Sequence, residues 1–253
     1  MVDDPTLRFS NRVEDYARYR PGYPAELLEL LRRECGWTPE GAIADIGCGT
    51  GILSRIFCEQ GNRVYGVEPN ESMLQSARES LKGCVNFTAI QAPAEATTLA
   101  DRSVDLITAA QSFHWFEPRQ AKREFVRILK RGGWVVLLWN ERLEDATPFM
   151  VGYEQLLVKF GVDYHKVKPL WQKNSLPEFF APLGFRTAVF KNPQTLDRAG
   201  LAGRILSASY MPHREHASYA TMVTAMDELF HQYEQGGKVR LEQETRVFYG
   251  QLG

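Results

Sequence analysis

The sequence predicts an α/β fold built on a mostly parallel sheet with helices on both faces. Short apolar runs alternate with amphipathic stretches between residues 42 and 140. These apolar runs suit a parallel sheet covered on both faces. One junction between a run and a helix, DIGCGTG at 45–51, places three glycines in five positions.

The elements follow in order. In PAELLELLRREC (24–35), Leu27, Leu30 and Leu31 share a helical face and Pro24 suits the first turn, so a surface helix is expected. AIADI (42–46) reads as a strand and ILSRIFCEQ (52–60) as a helix that Gly61 closes. RVYGVEP (63–69) is a second strand, SMLQSARESL (72–81) a helix with Ser72 near its start, and CVNFTAIQ (84–91) a third strand. SVDLITAAQ (103–111) makes a fourth. A helix over 118–130, closed by Gly132 and Gly133 with basic residues at its dipole-favoured end, leads into a fifth strand, WVVLLWN (134–140).

After Asn140 the rhythm changes. Residues 147–160 and 170–185 read as helical or irregular, 186–196 as a strand, and 196–209 and 219–235 as helices. In 238–251, Val239, Leu241, Val247 and Tyr249 anchor a last strand. Neither a repeat nor a low-complexity linker interrupts the chain, so residues 1–253 are read as a single domain with an elaborated C-terminal half.

Composition narrows the function. With 253 residues and 44% hydrophobic content the chain can bury a full core. A formal charge of −1 offers no polybasic face, which leaves no case for nucleic acid or an anionic membrane and favours a small substrate. Four cysteines, Cys35, Cys48, Cys58 and Cys84, lack the density of a disulfide scaffold and the paired spacing of a metal site, so no metal is expected. The start, MVDDPTLRFSNR, lacks the apolar core of a signal peptide, and no apolar run approaches the ~20 residues that span a bilayer. A cytoplasmic protein is expected.

The glycine loop is tested against rival motifs. A P-loop ends in Gly-Lys-Ser/Thr, which is absent. A dinucleotide loop reads G-x-G-x-x-G, whereas this one reads Gly47-x-Gly49-x-Gly51, one position short. Asp45 precedes the loop, and about 20 residues beyond it the second strand ends in Glu68, an acid able to accept hydrogen bonds from both hydroxyls of a ribose. The expected ligand is a nucleoside, with or without phosphates.

DIGCGTG, VYGVEPNESMLQSAR, APAEATTLADRSVDLITAAQSFHWF and RILKRGGWVVLLWNE together resemble the class I S-adenosylmethionine-dependent methyltransferases, in the type 11 group related to ubiquinone-pathway and trans-aconitate methyltransferases. The resemblance covers residues 7–140 motif by motif. It implies a Rossmann-like, seven-stranded sheet whose last strand is antiparallel. Asp45, Gly47, Gly49 and Gly51 would line the methionine and ribose end of the cofactor, and Glu68 would hold the ribose hydroxyls. Pro69 and Met73 would pack beside the adenine, the amide of Ala94 would meet the ring with Glu95 beside it, and Gln111 would lie near the sulfonium. Pro93 stands where many relatives carry aspartate. VEDYARYRPGYP resembles the family's lid, which carries Tyr16 and Arg20 to the methionine end. There Arg20 would hold the cofactor carboxylate by paired hydrogen bonds; its other reading is a surface ion pair. Residues 1–40 are then lid and first helix, 41–140 the cofactor-binding core, and 141–253 the acceptor-site cover and last strands.

FHWF (113–116) follows the fourth strand, at the carboxyl edge where open α/β sheets bind ligands. His114 is the residue there whose ordinary pKa suits a base near neutrality; it reads equally as a hydrogen-bonded structural histidine. Trp115, Trp139 and Asn140 are the candidate acceptor contacts, with Trp115 and Trp139 readable also as core. Ser207, Ser209 and Tyr210 read as pocket lining or as a solvated helix end. The expected reaction is methyl transfer to oxygen, nitrogen or carbon of a small molecule, releasing S-adenosylhomocysteine, by a monomer or homodimer. A Rossmann-type NAD(P)-dependent oxidoreductase and a non-catalytic cofactor-binding partner protein are the alternatives.

Overall fold

A computed structural model describes residues 12–167 and 176–253. α1 (Val13–Tyr19) and α2 (Glu26–Cys35) precede β1 (Ala42–Ile46), α3 (Ile52–Glu59), β2 (Arg63–Val67), α4 (Glu71–Ser80), β3 (Phe87–Ile90) and β4 (Val104–Ala110). A 3-10 turn at Phe113–Trp115, α5 (Pro118–Ile128) and β5 (Leu129–Arg142) complete the first half. The second half holds α6 (Pro148–Phe160), α7 (Tyr164–Val167), α8 (Leu176–Phe180), β6 (Arg186–Lys191), β7 (Gln194–Leu196), α9 (Arg198–Leu206), α10 (Tyr219–Tyr233), β8 (Val239–Leu241) and β9 (Gln243–Gly250).

Seven strands form one sheet in the order β3-β2-β1-β4-β5-β9-β6. β9 runs antiparallel to both β5 and β6, and the other neighbours are parallel. This is the mostly parallel α/β sheet expected. Alternation along the strands feeds two cores. Ile43, Val64, Leu106, Val136 and Leu138 pack with Leu27, Leu31 and Phe57 of α2 and α3. Ala44, Ile46, Ile107, Leu137 and Trp139 pack on the other face with Phe125, Phe179 and Phe180 of α5 and α8. A third core joins α6, α9 and α10 around Tyr153, Leu201, Met222 and Phe230.

Several boundaries differ from the sequence reading. α5 stops at Ile128, because Leu129 turns extended and already pairs with Val104. The register then jumps to Leu106 opposite Trp134, so Gly132 and Gly133 belong to a bulge, not a helix cap. α4 begins at Glu71, capped by Asn70, whose Oδ1 accepts the Met73 amide at 3.0 Å; Ser72 lies inside the helix.

The two C-terminal runs read as single strands each divide. Pro193, which has no N–H for a ladder, separates β6 in the main sheet from β7. Glu242 separates β8 from β9, and β7 pairs with β8 in a two-stranded ribbon that packs with the third core. Of the stretch 170–185, residues 170–175 lie outside the described residues.

Candidate active site

The glycine loop is pinned to the end of β2. The Val67 carbonyl accepts the amides of Gly47 at 2.7 Å and Cys48 at 3.1 Å, and Gly51 N donates to Cys48 O at 2.9 Å. All three glycines have left-handed φ: 68° at Gly47, 57° at Gly49 and 80° at Gly51. A Cβ on Gly47 would sit 2.5 Å from the Ser112 Cβ, and one on Gly51 2.8 Å from the Leu81 Cδ1. Intramolecular neighbours therefore require two of the bare positions. Gly49 faces Met73, whose Cε lies 3.3 Å from an added Cβ.

Over this loop, at the carboxyl ends of β1, β2 and β4, lies a cavity of about 160 Å³. It is walled by Gly47, Gly49, Glu68, Pro69 and Met73 on the loop side, and by Ala94, Glu95, Gln111 and Trp115 opposite, with Tyr16 reaching in from α1. Glu68 is 9% exposed. Its Oε2 accepts the Gly49 amide and its Oε1 the Asn70 amide, each at 3.0 Å. Burial raises its pKa, against the lowering by those two amides. Gln111 adopts a φ of 59°, unusual for a residue with a side chain, and donates from its backbone to Leu138 O and from Nε2 to Asn140 O. Glu95 spends one oxygen on the Glu117 amide, 2.7 Å away at the start of α5.

Asn70, Ala110, Ser112 and Phe116 also line the cavity, and sequence reasoning missed all four. For Asn70 a signal existed, as the cap residue before α4. Ser112, which donates to Ile46 O at 2.8 Å, is brought there by the turn after β4, and no local pattern marks it.

Other predicted contacts lie elsewhere. Asp45 is 1% exposed beneath the loop, where its carboxylate accepts from Ser54 Oγ at 2.6 Å and Thr108 Oγ1 at 2.9 Å. It ties β1 to α3 and β4 instead of lining the cavity, and burial pushes its pKa up to about 6 against those two bonds. Gly51 lies behind the wall, under Leu81. Trp139 is a core residue, edge-on to Phe113 and Phe248 at 6.3 and 5.6 Å between ring centres. One position along β5, on its other face, Asn140 accepts from Thr245 Oγ1 and Asn192 Nδ2 and donates to Gly22 O. It braces the lid's exit rather than facing the cavity.

His114 is not in the cavity wall. Its ring lies 4.8 Å from that of Trp115, and its Nδ1 is buried with no partner. Burial pushes its pKa down to about 4, which keeps it neutral and removes it as a base poised near pH 7.

The lid, described from Arg12 onward, is docked on α9. Arg12 donates to Leu206 O and Met211 O, and Arg20 Nη2 donates to Ser207 O at 3.0 Å, so cations cover the carbonyls ending that helix. Arg20 is therefore outside the cavity wall; its guanidinium stacks 4.8 Å from the Tyr16 ring centre. Tyr19 lies flat on Gly203, where a Cβ would stand 2.1 Å from the ring. Ser207 is fully buried and Tyr210 nearly so, which rules out a solvated helix end there.

Residues 44–137 match a family model described as a methyltransferase domain. An uncharacterized methyltransferase of Mycobacterium tuberculosis is 38% identical over 143 residues, 56% of this chain and 55% of that protein, so the match spans about half the relative's length. A methyltransferase-like protein of Schizosaccharomyces pombe, also uncharacterized, is 31% identical over 178 residues, 70% of this chain and 66% of its own. A solved structure of a candidate type II methyltransferase from Anaeromyxobacter dehalogenans superposes with a TM-score of 0.67 over 92% of this chain and 98% of its own, at 20% identity. The YcgJ protein of Bacillus subtilis does so at 0.55 over 90% and 98%, at 21% identity. At such identities the structures speak for the fold alone.

Two outcomes follow from this geometry. His114 titrates below its ordinary 6.5, near pH 4, in a histidine-resolved NMR titration; a midpoint at 6.5 contradicts its burial. Between those pH values the unfolded chain binds the extra proton, so the His114 contribution to stability is full above 6.5 and is lost as pH falls toward 4. Asp45, raised from 3.8 to about 6, contributes with the opposite sign, since its folded form holds the proton longer. The readout is accordingly the difference between parent and His114→Leu unfolding midpoints across that window. Separately, Gly203→Ala displaces Tyr19 and raises hydrogen exchange over residues 12–20 while β1 and β4 stay protected.

Proposed function

We propose that this chain, which belongs to the class I methyltransferases, takes S-adenosylmethionine as cofactor and transfers its methyl group to oxygen, nitrogen or carbon of a small molecule. The observation that carries this is Glu68. Of its roughly four lone-pair positions, two serve the Gly49 and Asn70 amides, and the others remain for a pair of adjacent hydroxyls in the cavity that Glu68 walls. Pro69, Met73, Ala94 and Trp115 offer apolar surface to a purine, and Gly49 leaves room for close approach. The residues present fit the cofactor.

When bound, the sulfonium supplies an already activated methyl group. What the chain then does is orient and exclude water, and alignment of reactants can supply roughly 7–11 kcal/mol. Tyr16 closes the cavity from the lid side. Arg20, whose Nε is buried without a partner, is the proposed contact of the cofactor carboxylate. Gln111, held by Leu138 and Asn140, presents its side chain at the methionine end. Asp45 and Gly51 serve by holding the loop, and His114 by packing on Trp115. Residues 1–253 act as one methyltransferase domain, in the cytoplasm, as monomer or homodimer. Among the described residues no helix is long and apolar enough to cross a membrane.

Calorimetry with S-adenosylhomocysteine tests the reading. The parent binds it, and Glu68→Gln weakens binding by about 1.5–3 kcal/mol, the range for hydrogen bonds to a charged group. Tight NADH binding without S-adenosylhomocysteine binding overturns it. Hydrogen exchange with and without S-adenosylhomocysteine shows protection rising together at residues 12–23 and 45–51; protection confined to the loop removes the lid from the site.

A further inference from the structure

Where the lid docks on the cover, the described residues bury more positive charge than they pair. Arg142 ends β5 with its side chain 5% exposed. Its Nη2 donates to Tyr164 Oη at 2.9 Å and pairs with Glu154 Oε2 at 3.3 Å, its Nη1 reaches Tyr210 Oη at 3.5 Å, and its Nε is buried with no partner. Arg204 of α9 is 3% exposed, and its Nε donates to a neutral acceptor, Gln194 Oε1, at 3.2 Å. Arg20 completes the group, with its own Nε buried and unpartnered.

The three guanidiniums share one neighbourhood. All three act electrostatically on the Tyr153 hydroxyl, and both Arg20 and Arg142 act on Arg204. Burial first, then those two cations, bring the Arg204 pKa down to about 10. Among the described residues Glu154 is the one carboxylate bonded to any of the three, and it also accepts from Tyr164 Oη at 2.5 Å. Among the described residues three cations thus gather with one bonded anion, Arg142 and Arg204 screened from water, and a buried unmatched charge is retained at a cost that an anionic guest removes. Burial excludes a polyanion such as nucleic acid. Only a small anion fits the chemistry.

We propose that Arg142 and Arg204, beside the Arg20 assigned above to the cofactor carboxylate, bind the carboxylate or phosphate of the methyl acceptor, so that the substrate is a small organic anion. The inference rests on the methyltransferase reading for the word acceptor, and on the cluster alone for the anion. Paired N–H donors of guanidinium match the two oxygens of such a group. Tyr16 lines the cofactor cavity and stacks under Arg20, which acts electrostatically on Arg204, so the anion would lie near the methyl-donor cavity.

The test is thermal unfolding of the full chain with saturating S-adenosylhomocysteine, at constant ionic strength, titrated with benzoate, phenyl phosphate or uncharged benzamide. Benzoate or phenyl phosphate raises Tm saturably and benzamide does not; the better of the two anions identifies the acceptor's charged group. Arg204→Gln weakens the favoured anion at least tenfold, and weakens S-adenosylhomocysteine by less. If neither anion outperforms benzamide on the parent, which needs no variant to fold, the proposal falls, as it does if Arg204→Gln binds the anion like the parent. Failure of S-adenosylhomocysteine to bind in calorimetry, with the benzoate response intact, defeats the cofactor reading and leaves the anion site standing.

Discussion

The Glu68 carboxylate, receiving the amides of Gly49 and Asn70, is the interaction on which the site depends. It joins the glycine loop, the end of β2 and the start of α4 into one unit. An acid in that position would be strongly penalised by burial if its oxygens faced only apolar neighbours. Two backbone N–H groups offset that penalty, and the Val67 carbonyl holds the loop from the other side through Gly47 and Cys48. The cavity wall is thus pre-organised before any ligand arrives.

A second constraint works from beneath. Asp45, bonded to Ser54 and Thr108, links the central strand to its following helix and to its neighbour β4. The acid next to the glycines is thereby a structural tie, and the acid one strand away is the cavity-facing one. Position in the motif does not separate them. What separates them is that Asp45 points under the loop, where two hydroxyls wait, and Glu68 points along the cavity.

Lid and cover form a further unit. The carbonyls ending α9 are taken by Arg12 and Arg20, and the close seat of Tyr19 on Gly203 requires a glycine there. Tyr16 is carried over the cavity by these contacts with a helix nearly two hundred residues away in sequence. The cover therefore sets the lid's position.

The sequence by itself determined the alternation of strands and helices up to residue 140, the place and bareness of the glycine loop, and the acid at the end of β2. Those features are local: apolar runs, cap residues and glycines with left-handed φ are written within a few residues of one another. Of the candidate contacts, Tyr16, Glu68, Pro69, Met73, Ala94, Glu95, Gln111 and Trp115 come together in the cavity with Gly47 and Gly49. Tertiary structure alone decided that Trp139 belongs to the core and Asn140 to the brace, since the two faces of β5 differ only by what packs on them. It alone decided that the His114 ring is held neutral, and that Arg142 of β5 and Arg204 of α9 come within electrostatic reach of each other. Burial and long-range proximity set those outcomes, and neither is a property of a residue's neighbours along the chain.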